Sequence, residues 1–157
     1  MLSVTILGTG GGMPIPERFL SSVVLKFMGR NILFDCGEGT QVAIRKFKTG
    51  FKVLDVICLT HGHGDHIFGL PGLLSTLANS ERTEPVSIIG PTGIKKIING
   101  MTAAVNKLPY SVQIKEVSCD TLPLIMGSER LEIVEDSDLG GKKPDLILST
   151  LPLEHRV

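Results

Sequence analysis

Residues 53–59, Val-Leu-Asp-Val-Ile-Cys-Leu, form a mostly apolar run of strand length that stops at a polar, glycine-rich stretch, residues 60–65. A run without polar alternation reads as a strand covered on both faces. The rest of the chain has to supply those covering layers. Residues 3–7 are short, β-branched and apolar, and read as a strand ending in the glycine loop Gly8-Thr9-Gly10-Gly11-Gly12. Residues 22–27 and 31–34 read as a hairpin joined at Gly29-Arg30, and residues 39–48 as a helix. Residues 67–77 are apolar and largely helical, with Pro71 near the helix start or at a kink. Residues 86–89 read as a strand. Residues 92–108 carry the strongest helical pattern, with Ile94, Ile97, Ile98, Met101, Val105 and Leu108 recurring on one face. Residues 112–117, 130–134 and 146–151 read as strands, and the charged segment 135–144 as a loop. Strands in hairpins mixed with strands alternating with helices predict an α/β layered fold rather than a simple doubly wound sheet. The 157 residues suit one domain, with no internal repeat and no dividing linker.

Lys plus Arg equals Asp plus Glu at 16 each, so the net charge gives none of the basic footprint usual in nucleic-acid binding. Cys36, Cys58 and Cys119 are odd in number and widely spaced, without C-x-x-C. They predict buried free thiols in a reducing cytoplasm rather than a disulfide framework or a thiolate zinc site. The amino terminus lacks a basic segment before its first strand, so no secretory signal is expected. No apolar run reaches the roughly 18 residues of a membrane span.

The chemistry concentrates in Thr60-His61-Gly62-His63-Gly64-Asp65-His66, which holds three of the four histidines. Imidazole and carboxylate are ligands that borderline divalent metals take. Gly62 and Gly64 are expected to let the backbone turn so that neighbouring side chains converge. Such a loop can direct His61 and His63 to one metal and Asp65 and His66 to a second. Two metals about 3.5–4 Å apart polarise a substrate oxygen and lower the pKa of a shared water towards neutrality. The alternative is a histidine-rich surface turn or a single structural metal.

At this motif the sequence resembles the metallo-β-lactamase superfamily, whose hallmark is H-x-H-x-D-H. Phe34-Asp35-Cys36-Gly37-Glu38-Gly39-Thr40-Gln41 ahead of it is similar to ribonuclease Z enzymes, a family within that superfamily. So are His66-Ile67-Phe68-Gly69-Leu70-Pro71-Gly72-Leu73-Leu74, Leu7-Gly8-Thr9-Gly10 and Gly90-Pro91. The resemblance implies an αββα fold, two sheets between helices with the metals at one edge. It implies cleavage of precursor tRNA on the 3′ side, leaving a 3′ hydroxyl and a 5′ phosphate. His61, His63 and His155 would bind the first of two zinc ions, and Asp65 and His66 the second. Asp65 would also orient or deprotonate the attacking water. Asp35 and Glu38 are candidates to orient the metal-bound histidines. A homodimer formed with the helix after the metal loop is the expected assembly.

Family members are about twice this long, and the later aspartate that bridges both metals and a later histidine have no counterpart here. The expectation is therefore that residues 1–157 form the amino-terminal part of a single domain, inactive or nearly so in isolation. Two other functions fit the same residues: a hydrolase of the superfamily acting on small phosphodiesters, thioesters or arylsulfates, and a non-catalytic chain that binds metal or a partner. Gly8–Gly12 fails the dinucleotide and P-loop patterns, which leaves a tight loop beside the metal site. Arg45, Lys46, Lys48 and Lys52, with Arg30 upstream, read as a solvated helix face, with RNA phosphate contact as the alternative. Phe68, Leu70, Leu73, Leu74 and Leu77 read as core or subunit-interface residues.

Overall fold

The structure, a computed structural model, describes residues 1–105 and 107–153. Six strands form the main sheet in sequence order: β1 (Leu2–Gly8), β2 (Ser22–Phe27), β3 (Arg30–Phe34), β4 (Leu54–Cys58), β5 (Val86–Pro91) and β6 (Val112–Val117). The first three are antiparallel, and β3 to β6 run parallel. Parallel neighbours require crossovers. These are made by α1 (Thr40–Phe47), by the short α2 (Gly64–Ile67) with α3 (Leu70–Asn79), and by α4 (Ile94–Thr102). A second, antiparallel sheet has β7 (Thr121–Met126) between β8 (Leu131–Ile133) and β9 (Leu146–Ser149).

The period of two along a strand sorts side chains between two cores. Leu33, Ile57 and Ile88 join Ala43, Ile44, Leu70, Leu73, Leu74, Leu77, Ile94 and Ile98 of the helices. Ile32, Val56, Cys58 and Ile89 face the other way, onto Leu122, Leu124 and Leu131 of the second sheet. Helices, main sheet and second sheet are thus three stacked layers of the mixed α/β architecture, and β4 is buried along its whole length. The second sheet does not cover all of the main one. Leu2, Val4 and Ile6 of β1 stay exposed.

Three expectations change. Residues 121–126 carry a strand that the sequence does not announce, because Pro123 removes a ladder donor. The Pro123 carbonyl accepts from Val134 just beyond the end of β8, so the missing N–H falls where that ladder stops. The fourth helix ends at Thr102, not 108. The apolar spacing outlasts it because Leu108 still packs on the core, and Pro109 disfavours helix at residue 108. Residues 136–139 form a 3-10 turn inside the expected loop.

Candidate metal centre

Strand β3 ends at Phe34, and Asp35 leaves it at φ +58°, its N–H donating to the Cys58 carbonyl at 2.8 Å. The segment from Asp35 to Gly37 is buried and runs beneath the histidine loop, with the Cys36 N–H donating to the His66 carbonyl at 2.6 Å. Gly69 returns to this strap, its N–H donating to the Cys36 carbonyl at 2.9 Å. A Cβ on Gly69 would stand 2.0 Å from the Gly37 carbonyl oxygen, so the glycine is required by close approach. Gly62 and Gly64 are not in the left-handed region, contrary to the turning role expected of them. At Gly64 the need is space, since a Cβ would sit 2.4 Å from the Phe68 ring.

The loop brings four side chains together. His61 Nε2 and His63 Nδ1 face each other at 3.1 Å, and the His61 and His66 rings lie 4.1 Å apart. His66 Nε2 stands 3.6 Å from Asp65 Oδ2. Two ligand atoms on one tetrahedral zinc, each about 2.0–2.1 Å from the metal, are about 3.3 Å apart. Both pairs are near that spacing, and their nitrogen and oxygen donors suit zinc. Among the described residues no group of three or more His, Cys, Asp or Glu is placed to hold a single metal ion. The expected third ligand of the first metal, His155, lies outside the described residues.

Asp35 is 6% exposed and accepts from the Thr60 N–H at 2.8 Å, from the Thr60 hydroxyl at 2.9 and 3.0 Å, and from His66 Nδ1 at 2.7 Å. Thr60 Oγ1 lies 3.0 Å from His61 Nδ1. A carboxylate behind an imidazole fixes ring orientation and leaves the other nitrogen for a metal, which is the position Asp35 occupies behind His66. Glu38, the other residue expected to orient the histidines, is exposed, and among the described residues no hydrogen bond joins it to the loop. The Gly12 N–H donates to Asp65 Oδ2 at 2.7 Å, which puts the glycine loop beside the site. That bond, with the nearby His66 and His61, holds the Asp65 carboxyl below the ordinary carboxylate range against a smaller opposing effect of burial. Sequence reasoning missed Thr60 and the Gly12 N–H. A threonine between a buried strand and the first histidine is a signal for the former, while a backbone donor leaves none.

The remaining expectations sort cleanly. Burial pushes the Cys36 and Cys58 thiols up to about 12, as befits the buried free thiols expected there, whereas Cys119 is exposed rather than buried. Arg45, Lys46 and Lys48 lie exposed on and just after α1. Lys52 pairs with Glu81 at 3.6 Å. Arg30 does not belong with them, because it is committed to Asp55. Leu70, Leu73, Leu74 and Leu77 are core, and of that group Phe68 alone is exposed, at 59%. Among the described residues no helix is long and apolar enough to cross a membrane.

Residues 2–108 match a protein-family model described as Anti-Pycsar protein Apyc1. Over 99% of its length the chain is 53% identical to a ribonuclease Z of Alkaliphilus oremlandii, of which it covers 48%. The human tRNase Z short form aligns over 74% of this chain and 45% of its own, with 42% identity and a TM-score of 0.66. The metallo-β-lactamase-fold protein YhfI of Bacillus subtilis, at 18% identity and a TM-score of 0.62, shares the fold. The chain spans about half the length of the curated relatives it matches.

Proposed function

This chain belongs to the Apyc1 family of metallo-β-lactamase-fold proteins and matches half of ribonuclease Z, and on that premise we propose that it is the amino-terminal part of a single-domain, zinc-dependent endoribonuclease. Its substrate is precursor tRNA, cut on the 3′ side to leave a 3′ hydroxyl and a 5′ phosphate. The observation that carries the reading is the facing of His61 Nε2 and His63 Nδ1 beside the Asp65–His66 pair. His61, His63 and His155 would hold one zinc ion, and Asp65 and His66 a second. When bound, the two ions supply a water ionised near neutrality and compensate charge on the phosphodiester. The chain's own residues do the positioning. Asp35 fixes the His66 ring from behind, and Gly12 fixes the Asp65 carboxylate. A carboxyl held below the ordinary range is a weak base, so Asp65 serves better to orient the attacking water than to take its proton. The enzyme is cytoplasmic and a homodimer, with the exposed Phe68 beside α3 at the contact between copies.

The test is a hybrid in which this chain replaces the matching half of the Alkaliphilus oremlandii ribonuclease Z. Metal-dependent cleavage of precursor tRNA, abolished by His63→Ala in a protein that stays folded, is expected. A folded, metal-binding hybrid that leaves precursor tRNA intact would sink the reading. The match to a family described as an anti-Pycsar protein supports a second reading, a different hydrolase on the same scaffold. Turnover of a small chromogenic diester without cleavage of precursor tRNA would select it.

A further inference from the structure

We propose that Thr60 is a positioning residue whose hydroxyl, held by Asp35, fixes His61 as the Nδ1–H tautomer and leaves its Nε2 bare towards His63. The inference rests on the metal reading above and extends it to a residue outside the ligand set.

A threonine hydroxyl has one proton and two lone pairs, and a carboxylate only accepts. Thr60 Oγ1 lies 2.9 and 3.0 Å from the two Asp35 oxygens, so its proton points at Asp35. What remains on that oxygen is acceptor capacity, and 3.0 Å away is His61 Nδ1. A bare Nδ1 there would set two lone pairs against each other, so Nδ1 carries the proton. In the neutral ring Nε2 is then unprotonated, and it faces His63 Nδ1 at 3.1 Å.

The same carboxylate sets a second ring. His66 Nδ1 is 2.7 Å from Asp35 Oδ2, so it donates, and Nε2 is left bare on the Asp65 side. Asp35 thus fixes His66 directly and His61 through Thr60, one histidine from each expected metal. The Thr60 N–H, donating to Asp35 Oδ1 at 2.8 Å, holds the relay in register. Without metal, His63 Nδ1–H satisfies the lone pair of His61. On metal binding, His63 is the one of the three described histidines that has to change tautomer.

The experiment uses the metal-free 157-residue chain with 15N-labelled histidine. Two-bond nitrogen–proton correlations separate protonated from bare ring nitrogens, and His61 is assigned by its loss in His61→Gln. Wild type and Thr60→Ser are expected to carry the His61 proton on Nδ1. In Thr60→Val the proton moves towards Nε2, and zinc affinity, read by competition with a chromogenic chelator, falls about tenfold. Thr60→Ala serves if the valine variant does not fold. Unchanged His61 nitrogen shifts in a folded Thr60→Val or Thr60→Ala protein overturn the proposal, as does loss of the Nδ1–H form in Thr60→Ser. Wild type that shows the Nδ1–H form and its loss in Thr60→Val, yet binds no zinc, supports the tautomer relay and refutes the metal reading instead.

Discussion

Two buried aspartates sit at opposite ends of the parallel strands, and their partners differ in kind. Asp55, at the amino end of β4, is 1% exposed. It accepts from Arg30 through two nitrogens, from Arg82 at 3.2 Å and from the Leu131 N–H at 2.9 Å. Asp35, at the carboxyl end of β3, accepts from a threonine and a histidine. The first set is charged and closes on itself. Arg82 spends its other donors on the carbonyls of Lys52, Glu84 and Pro85. The second set is a hydroxyl, a backbone N–H and an imidazole, and its other atoms point on towards the histidine loop. A buried carboxylate clamped by guanidinium groups is committed to the fold. One clamped by hydroxyl and imidazole transmits orientation, because those partners still have a lone pair to present.

The largest expected effect breaks the comparison at its structural end. Asp55→Ala strands two arginine side chains and the Leu131 N–H that joins the second sheet to the first. Removing one partner of a buried ion pair costs about 3–5 kcal/mol. Denaturant unfolding should register that loss, while the folded fraction keeps its zinc affinity. Destabilisation below about 1 kcal/mol would mean that water replaces the arginines, and the two aspartates would no longer differ in role.

Asp35→Asn should invert the pattern. The side chain keeps its shape, but an amide cannot accept from both Thr60 and His66 as a carboxylate does. Partners that orient metal ligands are worth about 10–100-fold in affinity. Chelator competition should show a loss of that size, with a smaller fall in unfolding free energy than Asp55→Ala gives. A variant with wild-type zinc affinity but a collapsed melting transition would make Asp35 a second structural hub.

The two ends were unequally legible in the sequence. The histidine loop is conspicuous because metal ligation demands particular residue types at short spacing. Asp35 stands out next to it as an acidic residue closing an apolar strand. Thr60 does not, because its role depends on where one hydroxyl proton points. The Asp55 cluster is assembled over separations of 25, 27 and 76 residues, which no local pattern records. For that reason local sequence places Arg30 with the basic residues around α1, although its charge is spent inside. The layered α/β class followed from the apolar β4 run and the helical periodicities. The seventh strand was hidden because Pro123 masks a ladder position that the end of β8 leaves free.

Asp65 gives the comparison a third and weaker case, since its clamp is one backbone N–H from the glycine loop. Its folded pKa is depressed, with the Gly12 bond the largest cause. A carboxyl more acidic in the folded than in the unfolded chain adds stability that is present above the unfolded value of about 3.9. That stability fades only as the pH falls through the lower folded value. Asp65 therefore stays ionised through the mildly acidic range, where an ordinary carboxyl begins to take up its proton. A carbon-detected titration of the metal-free chain should place the Asp65 midpoint below 3.9, without any large change in unfolding free energy above pH 5. An ordinary or raised midpoint would show that the glycine loop does not hold this carboxylate in solution. Asp35 would then be, among the described residues, the carboxylate that organises the histidine loop.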